Sequence, residues 1–344
     1  MNLPIVPPYP PMEARTVERI PVGHNWQYEP KWDGFRCLIF RDGGDVFVQS
    51  KAEKPLGRYF PEIVEAVLAL DATRFVLDGE IVIPVGGVLS FEELLQRIHP
   101  AESRIRKLAR EFPAMVLVFD LLAVDGENDA VLPLRERRER LETFAAKHLR
   151  DGDLRLSPAT TDVNTANKWL TGVRGGLDGV IAKRLDLPYK SGERTGMQKI
   201  KRLRTADCVV GGFRYASNSR QVGSMLLGLY DDDGLLHHVG FTSGIKAADR
   251  AALTKKLEKH IREPGFTGRA PGGPSRWSTE HSEQWVPLAP ELVVEVQYDH
   301  FSEGRFRHGT RFLRWRPDKH PRQCTFDQVA RRGRPSLKLL EESG

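Results

Sequence analysis

Short alternating apolar and polar runs fill the chain, and stretches of helical spacing interrupt them. Residues 35–40 and 46–49 read as two strands joined by the turn Arg41-Asp42-Gly43-Gly44, a hairpin. Ile63, Val64, Val67 and Leu68 predict a helix near 61–70. Residues 75–83 form a strongly apolar strand broken by two carboxylates, Asp78 and Glu80. Ser90-Phe91-Glu92-Glu93 matches a capping box opening a helix through about residue 98. Residues 102–111 read as an exposed helix and 114–122 as a buried strand. Pro133 starts a helix with Leu134, Leu141, Phe144 and Ala145 on one side, and the run from Arg135 to Arg140 reads as its solvated face. Residues 177–183 are a strand with Asp178 near one end and Lys183 at the other. Alternation over 197–201 puts Lys199 and Lys201 on one face of another strand. Residues 1–28, rich in proline, read as an irregular leader whose last positions begin a short strand.

Beyond residue 202 the pattern changes. Strands at 207–215, 223–230, 235–242, 292–298 and 310–315 surround one amphipathic helix at 246–261. Asp231-Asp232-Asp233-Gly234 is a hairpin turn. Residues 263–278 are a Pro/Gly-rich loop, and 331–344 a loosely ordered tail. This predicts an α+β domain over 1–202, followed over 203–344 by an OB-fold β-barrel domain.

Composition narrows the partners. The chain has 344 residues and a net charge of +6. From residue 203 onward there are 22 Lys/Arg against 17 Asp/Glu, and before it 30 against 29. The basic second part suits contact with a phosphate backbone. No apolar run approaches the ~20 residues of a membrane span. The leader lacks the charged and apolar regions of a secretory signal. Three scattered cysteines, Cys37, Cys208 and Cys324, make no metal-type pair and fit a reducing cytoplasm.

The candidate chemistry centres on Lys31, in Glu29-Pro30-Lys31-Trp32-Asp33-Gly34-Phe35-Arg36. A neutral lysine amine can attack phosphorus to give a phosphoramidate. Its ordinary pKa near ~10.4 must then be depressed by burial, cations or a metal. In order along the chain follow Ser50-Lys51, Asp78-Gly79-Glu80, Phe119-Asp120-Leu121-Leu122, Asp178-Gly179-Val180-Ile181-Ala182-Lys183, Lys199-Ile200-Lys201 and Arg311 to Lys319. With the Lys-x-Asp-Gly element these seven motifs resemble the ATP-dependent DNA ligases. That family belongs to the covalent nucleotidyltransferases.

The resemblance implies a nucleotidyltransferase (ATP-grasp-like ligase) domain ahead of the OB-fold. ATP would adenylate Lys31, AMP would pass to a 5′-phosphate at a nick, and the 3′-hydroxyl would then seal the strand. By the same resemblance Glu29 reads the adenine amino group, Phe119 stacks on adenine and Arg36 holds the sugar. Lys51 joins the nucleotide-binding set. Glu80 contacts the ribose and, with Asp178, binds Mg²⁺ or Mn²⁺. Lys183, Lys199 and Lys201 contact the α-phosphate. Arg316, Asp318 and Lys319 face the outgoing phosphates. Arg204, Arg214, Lys246, Arg305 and Arg307 are candidates for DNA phosphates.

Three positions depart from the family pattern: Lys51 stands for arginine, Asp178 for glutamate, and Met197 for tryptophan. They resemble small bacterial repair ligases found beside primase-polymerases. The expected partner is nicked double-stranded DNA, with repair polymerase or primase proteins beside it. The chain is expected to act as a monomer in the bacterial cytoplasm, at the nucleoid. No helical DNA-encircling domain is read ahead of Lys31. Two alternatives share parts of this pattern: an RNA ligase or capping-type nucleotidyltransferase, and a non-catalytic OB-containing nucleic-acid binder.

Overall fold

A computed structural model describes residues 1–149, 152–174, 177–272, 284–330 and 334–341. Contacts divide the chain into Met1–Arg202 with Arg331–Gly344, and Leu203–Ala330.

The first unit holds two sheets. One has four strands in the order Arg15–Val17, Met197–Lys201, Leu177–Arg184 and Trp26–Trp32. The other runs Leu154–Leu156, Met115–Val124, Arg74–Val82, Phe35–Asp42 and Asp45–Ser50, with Glu127–Asn128 beside Met115–Val124. Side-chain alternation explains how a strand can be apolar and still carry chemistry. In Arg74–Val82, Phe75, Leu77 and Ile81 join a core with Ile63, Leu141 and Phe144. Those last three come from the helices Pro61–Leu68 and Leu134–His148. Asp78 and Glu80 alternate with them and face the other way. In Phe35–Asp42, Cys37 and Ile39 join the same helix-side core, which leaves Arg36 on the face of Asp78 and Glu80.

The leader is better built than its composition suggests. Arg15–Val17 pairs in parallel with Met197–Lys201. Leu3, Ile5 and Met12 are buried with Phe40, Tyr189 and Met197. The supposed solvated face of residues 135–140 needs a correction. Arg137 and Arg138 are buried. Arg137 makes a two-pronged ion pair with buried Asp120, at 2.8 and 3.0 Å. Arg138 bonds the Ser157 carbonyl and Glu142. The helix Val163–Gly172 was not read from the sequence. Asp162 caps its start by accepting from the backbone of Asn164 and Thr165. Residues 334–341, expected with the second domain, belong to the first unit. Arg334–Pro335 pairs in parallel with Val173–Arg174, and Leu339 is buried in the cluster that holds Trp169 and Leu177.

The main sheet of the second unit runs in the order Leu236–Thr242, Val222–Tyr230, Arg204–Tyr215, Val293–Tyr298 and Arg311–Trp315, with Val286–Pro287 beside Arg204–Tyr215, and Phe301–Ser302 pairs separately with Arg305–Phe306. Its core includes Val209, Phe213, Leu227, Leu229, Val239 and Val294. The helix Ala247–Glu258, shorter than the expected 246–261, sits between the third and fourth of these strands in sequence. The two edge strands meet through one parallel bridge, Thr242 with Thr310. Thr242 Oγ1 donates to the Thr310 carbonyl there (2.9 Å). The barrel expected from sequence therefore has OB strand order, but a single bridge rather than a ladder joins its edges. Part of the 263–278 loop, residues 273–278, lies outside the described residues.

Candidate active site

Between the two sheets of the first unit lies an open cleft, a concave site of the kind ligands favour. Among its lining residues are Glu29, Lys31, Arg36, Lys51, Glu80, Phe119, Lys183 and Lys199. Eight of the ten first-unit residues singled out by sequence thus meet at one cavity. Asp178 reaches it by holding Lys31, and Lys201 lies one row away, opposite Gly179.

Lys31 is in the strand Trp26–Trp32, one residue before the turn that carries the chain from one sheet to the other. Gly34 makes that crossing possible. A Cβ there would lie 2.3 Å from the Ile81 carbonyl oxygen and 2.8 Å from Glu80 Cγ. Its amide donates to Glu80 Oε1 (3.1 Å).

Opposite, the pairing of Leu177–Arg184 with Trp26–Trp32 slips between Leu177 and Gly179. The slip re-aims Asp178, as bulges beside active sites do. Its carboxylate sits 2.7 Å from Lys31 Nζ. Gly179 pays the steric cost, with φ at +153° and the Ile200 carbonyl 1.9 Å from where a Cβ would stand. Gly179→Ala must push Leu177–Arg184 off Met197–Lys201. We expect it to cost about 3 kcal/mol and to lower the melting temperature by roughly 6–12 °C in a thermal scan.

Two features differ from the sequence expectation. Lys31 was expected to have a depressed pKa. Burial does push it down, but Asp178, Glu80 and Asp33 outweigh burial and hold the ammonium above the usual lysine range. Glu80, not the amine, is the strained partner: burial pushes it up to about 8, against the pull of Lys31 and Arg36. Lys183, expected at the α-phosphate, is committed elsewhere. Its ammonium lies 2.8 Å from Glu29 Oε2 and 4.5 Å from the centre of the Phe119 ring. Glu29 also accepts from Gln27 Nε2 (2.8 Å). Lys183 therefore stands with the residues expected to hold the base.

Arg36 is fixed from three sides. It grips Asp78 at 3.0 and 2.7 Å, donates to the Met12 carbonyl (2.6 Å), and lies 5.5 Å from the Phe119 ring. Tyr189 donates to Asp78 (2.7 Å) and accepts from the Met12 amide (2.9 Å). Tyr189 gave no signal in sequence, being one aromatic in a proline- and glycine-bearing loop. Phe119 is anchored through its neighbour Asp120, which Arg137 holds from below. Lys199 is pushed down by burial and by Lys31, Lys51, Lys201 and Arg194. That direction marks a local crowd of cations, the setting a polyphosphate needs.

Arg316 and Lys319 belong to the second unit. Arg316 pairs with Asp207 (2.7 Å) and Asp318 (2.8 Å), and Lys319 with Asp207 (3.0 Å).

The carboxylates of Glu80 and Asp178 are hard oxygen donors. Burial pushes the Glu80 carboxyl up to about 8 because its anion lacks compensation in the cleft, and a divalent cation would supply that compensation. The donor set therefore fits Mg²⁺ or Mn²⁺.

Comparisons with known proteins agree with this chemistry. The family model described as ATP dependent DNA ligase domain matches residues 11–201. The model described as ATP dependent DNA ligase C terminal region matches 218–319. The chain is 46% identical to DNA ligase C2 of Mycolicibacterium smegmatis over 346 residues, covering 96% of each. It is 45% identical to DNA ligase C of Mycobacterium tuberculosis over 347 residues, again covering 96% of each. A solved Lig E DNA ligase shares the fold, with a TM-score of 0.55 at 16% identity, over 89% of this chain and 99% of that one. Among the described residues no helix is long and apolar enough to cross a membrane.

Proposed function

The chain belongs to the ATP-dependent DNA ligase family, and from that premise we propose how its own side chains divide the work of sealing nicked duplex DNA. The observation that carries the reading is the meeting of Lys31, Asp178, Glu80, Phe119, Lys183 and Lys199 at one cleft. Lys31 Nζ is the nucleophile toward the α-phosphorus of ATP. The P–N bond forms as the bond to pyrophosphate breaks, and the proton of the amine leaves. Asp178, 2.7 Å away, orients that amine and is the nearest base for its proton.

At the base end, Phe119 stacks on adenine. Glu29 accepts from the exocyclic amine, and Lys183 donates to a ring nitrogen beside it. Arg36, immobilised by Asp78 and Tyr189, holds the sugar. Lys199 and Lys201 carry positive charge to the phosphates, where preorganised cations act most strongly on the transition state. Glu80 and Asp178 would hold a divalent cation. When bound, it supplies charge neutralisation at the phosphates and competes with Lys31 for the carboxylates that keep the amine protonated. In the second unit, Arg316 and Lys319 act on the leaving pyrophosphate, and the basic barrel contacts the DNA backbone. The substrate is a nick left by repair in the bacterial cytoplasm, and the chain works as a monomer beside repair polymerases.

A substrate panel tests this reading against the RNA-ligase and capping alternatives. We expect sealing of nicked DNA with ATP, and at least about tenfold less with GTP, because guanine presents a carbonyl where Glu29 needs a donor. GTP transfer, or activity confined to nicked RNA, would contradict it.

A further inference from the structure

The sheet face that carries Arg36, Asp78 and Glu80 does not end at the cleft. By the same alternation, Leu38 and Phe40 continue it along Phe35–Asp42, and Val76 along Arg74–Val82. There the covering layer is the leader: Leu3, Ile5 and Met12 are buried with Leu38, Phe40 and Val76. Residues 2–13 form no helix or strand, so side chains must satisfy their peptide groups and set their register. Gln49, wholly buried, takes both peptide groups of Tyr9. Its Oε1 accepts from the amide (3.0 Å) and its Nε2 donates to the carbonyl (2.7 Å). The Tyr9 ring stacks on that of Tyr189, with centres 6.3 Å apart. Tyr189 and Arg36 take both peptide groups of Met12: the hydroxyl accepts from the amide (2.9 Å), and Arg36 Nη1 donates to the carbonyl (2.6 Å). Asp78 holds Nε and Nη2 of the same guanidinium and accepts from the Tyr189 hydroxyl. Arg36, Asp78, Tyr189 and Met12 thus close a ring of hydrogen bonds, and Met12 is the member that the leader supplies.

We propose that the leader is a positioning segment of the nucleotide site: the Met12 peptide fixes the Arg36 guanidinium for the sugar, and Gln49 and Tyr189 hold the segment in the register that this needs. The proposal rests on the ligase reading for the role of Arg36. A long side chain that is already fixed loses little rotamer freedom when its ligand arrives, so the ordering done by the leader appears as nucleotide affinity. Gln49 and Tyr189 are positioning residues, acting through the leader and Arg36. The coupling is reciprocal: if the leader favours nucleotide binding, bound nucleotide must favour the ordered leader.

The test uses the full chain with Gln49→Met, Tyr189→Phe and the two combined. Melting temperatures check that each stays folded, and Tyr189→Phe, which keeps its ring in the core, carries the test if Gln49→Met does not fold. The probes are an ATP analogue with a methylene between the α- and β-phosphorus, which Lys31 cannot cleave, and inorganic tripolyphosphate, which has no sugar. We expect each single variant to weaken the analogue roughly threefold to tenfold, while tripolyphosphate binding stays within about twofold. The double variant should cost little more than the worse single, because both act on one segment. The KM for ATP in enzyme-AMP formation should rise with the analogue's dissociation constant, and kcat should change less. In the wild type, the analogue should slow hydrogen exchange at the amides of Tyr9, Met12 and Glu13. Unchanged analogue affinity in folded variants, an equal loss of tripolyphosphate, or leader exchange that the analogue leaves unaltered overturns the proposal. Analogue binding and exchange need no covalent step, so they judge the leader separately. A wild type that binds the analogue yet forms no enzyme-AMP faults the ligase reading instead.

Discussion

Lys31→Ala should abolish transfer of AMP from ATP to the protein, by at least ~10⁴-fold, while leaving the fold intact. The variant removes the amine that Asp178 orients. Stability should change little, because Lys31 and Asp178 are each about one-fifth exposed and water can resolvate the partner left behind. The same variant should still close a nick whose 5′-phosphate has been adenylated beforehand. In that step the 3′-hydroxyl is the nucleophile, and Lys199 and the base-holding residues are all present. Loss of sealing on adenylated nicks to the same degree would mean that Lys31 serves some role other than forming a bond to AMP. Labelled ATP and a pre-adenylated substrate, measured side by side, separate the two.

Arg137→Ala should be the most destabilising single change in the first unit. Arg137 and Asp120 are almost wholly buried, and the pair has two short hydrogen bonds. Removing the arginine leaves a carboxylate under Phe119 without its main partner, which costs about 3–5 kcal/mol. A melting temperature lower by roughly 10 °C follows for a domain of this size. The pH dependence gives a second check. Burial raises the Asp120 carboxyl, but the Arg137 charge and hydrogen bonds outweigh it, and Lys183 and Arg36 add to them, so its pKa lies below the usual aspartate value. A depressed folded pKa stabilises above the unfolded pKa and is lost as pH falls through the folded one. In the variant Asp120 titrates higher instead. The gap between wild type and variant should therefore be widest near neutrality and narrow below about pH 4. A gap that widens in acid would remove Asp120 as its cause.

Much of the motif set was legible in the sequence because it lies on strands, where period-two alternation separates chemistry from core; Lys51 and Arg316 to Lys319 stand just past strand ends. Asp78 and Glu80 between Leu77 and Ile81 show this directly: two charges in an apolar strand have a reason only if one face meets a site. What escaped depends on irregularity or on distant partners. The slip that turns Asp178 toward Lys31 is a one-residue feature of pairing, invisible until the partner strand is known. Arg137 looked like part of a solvated charge run because its partner lies 17 residues back, on another element. Lys183 carried the right residue type in the right motif, but its end of the cleft was set by Glu29, two strand rows from the nucleophile. The Val163–Gly172 helix has helical spacing at Ala166 and Trp169, weakened by the Thr and Asn residues around them. Residues 334–341 are too short to announce a place of their own, and tertiary pairing with Val173–Arg174 decides it.

The most direct measurement is to incubate the chain with ATP and a divalent metal, digest it, and locate the added AMP by mass spectrometry. The account predicts one acid-labile adenylate on the peptide that contains Lys31, released as AMP when nicked DNA is added. An adenylate on any other residue, or none at all in a folded sample, would contradict it.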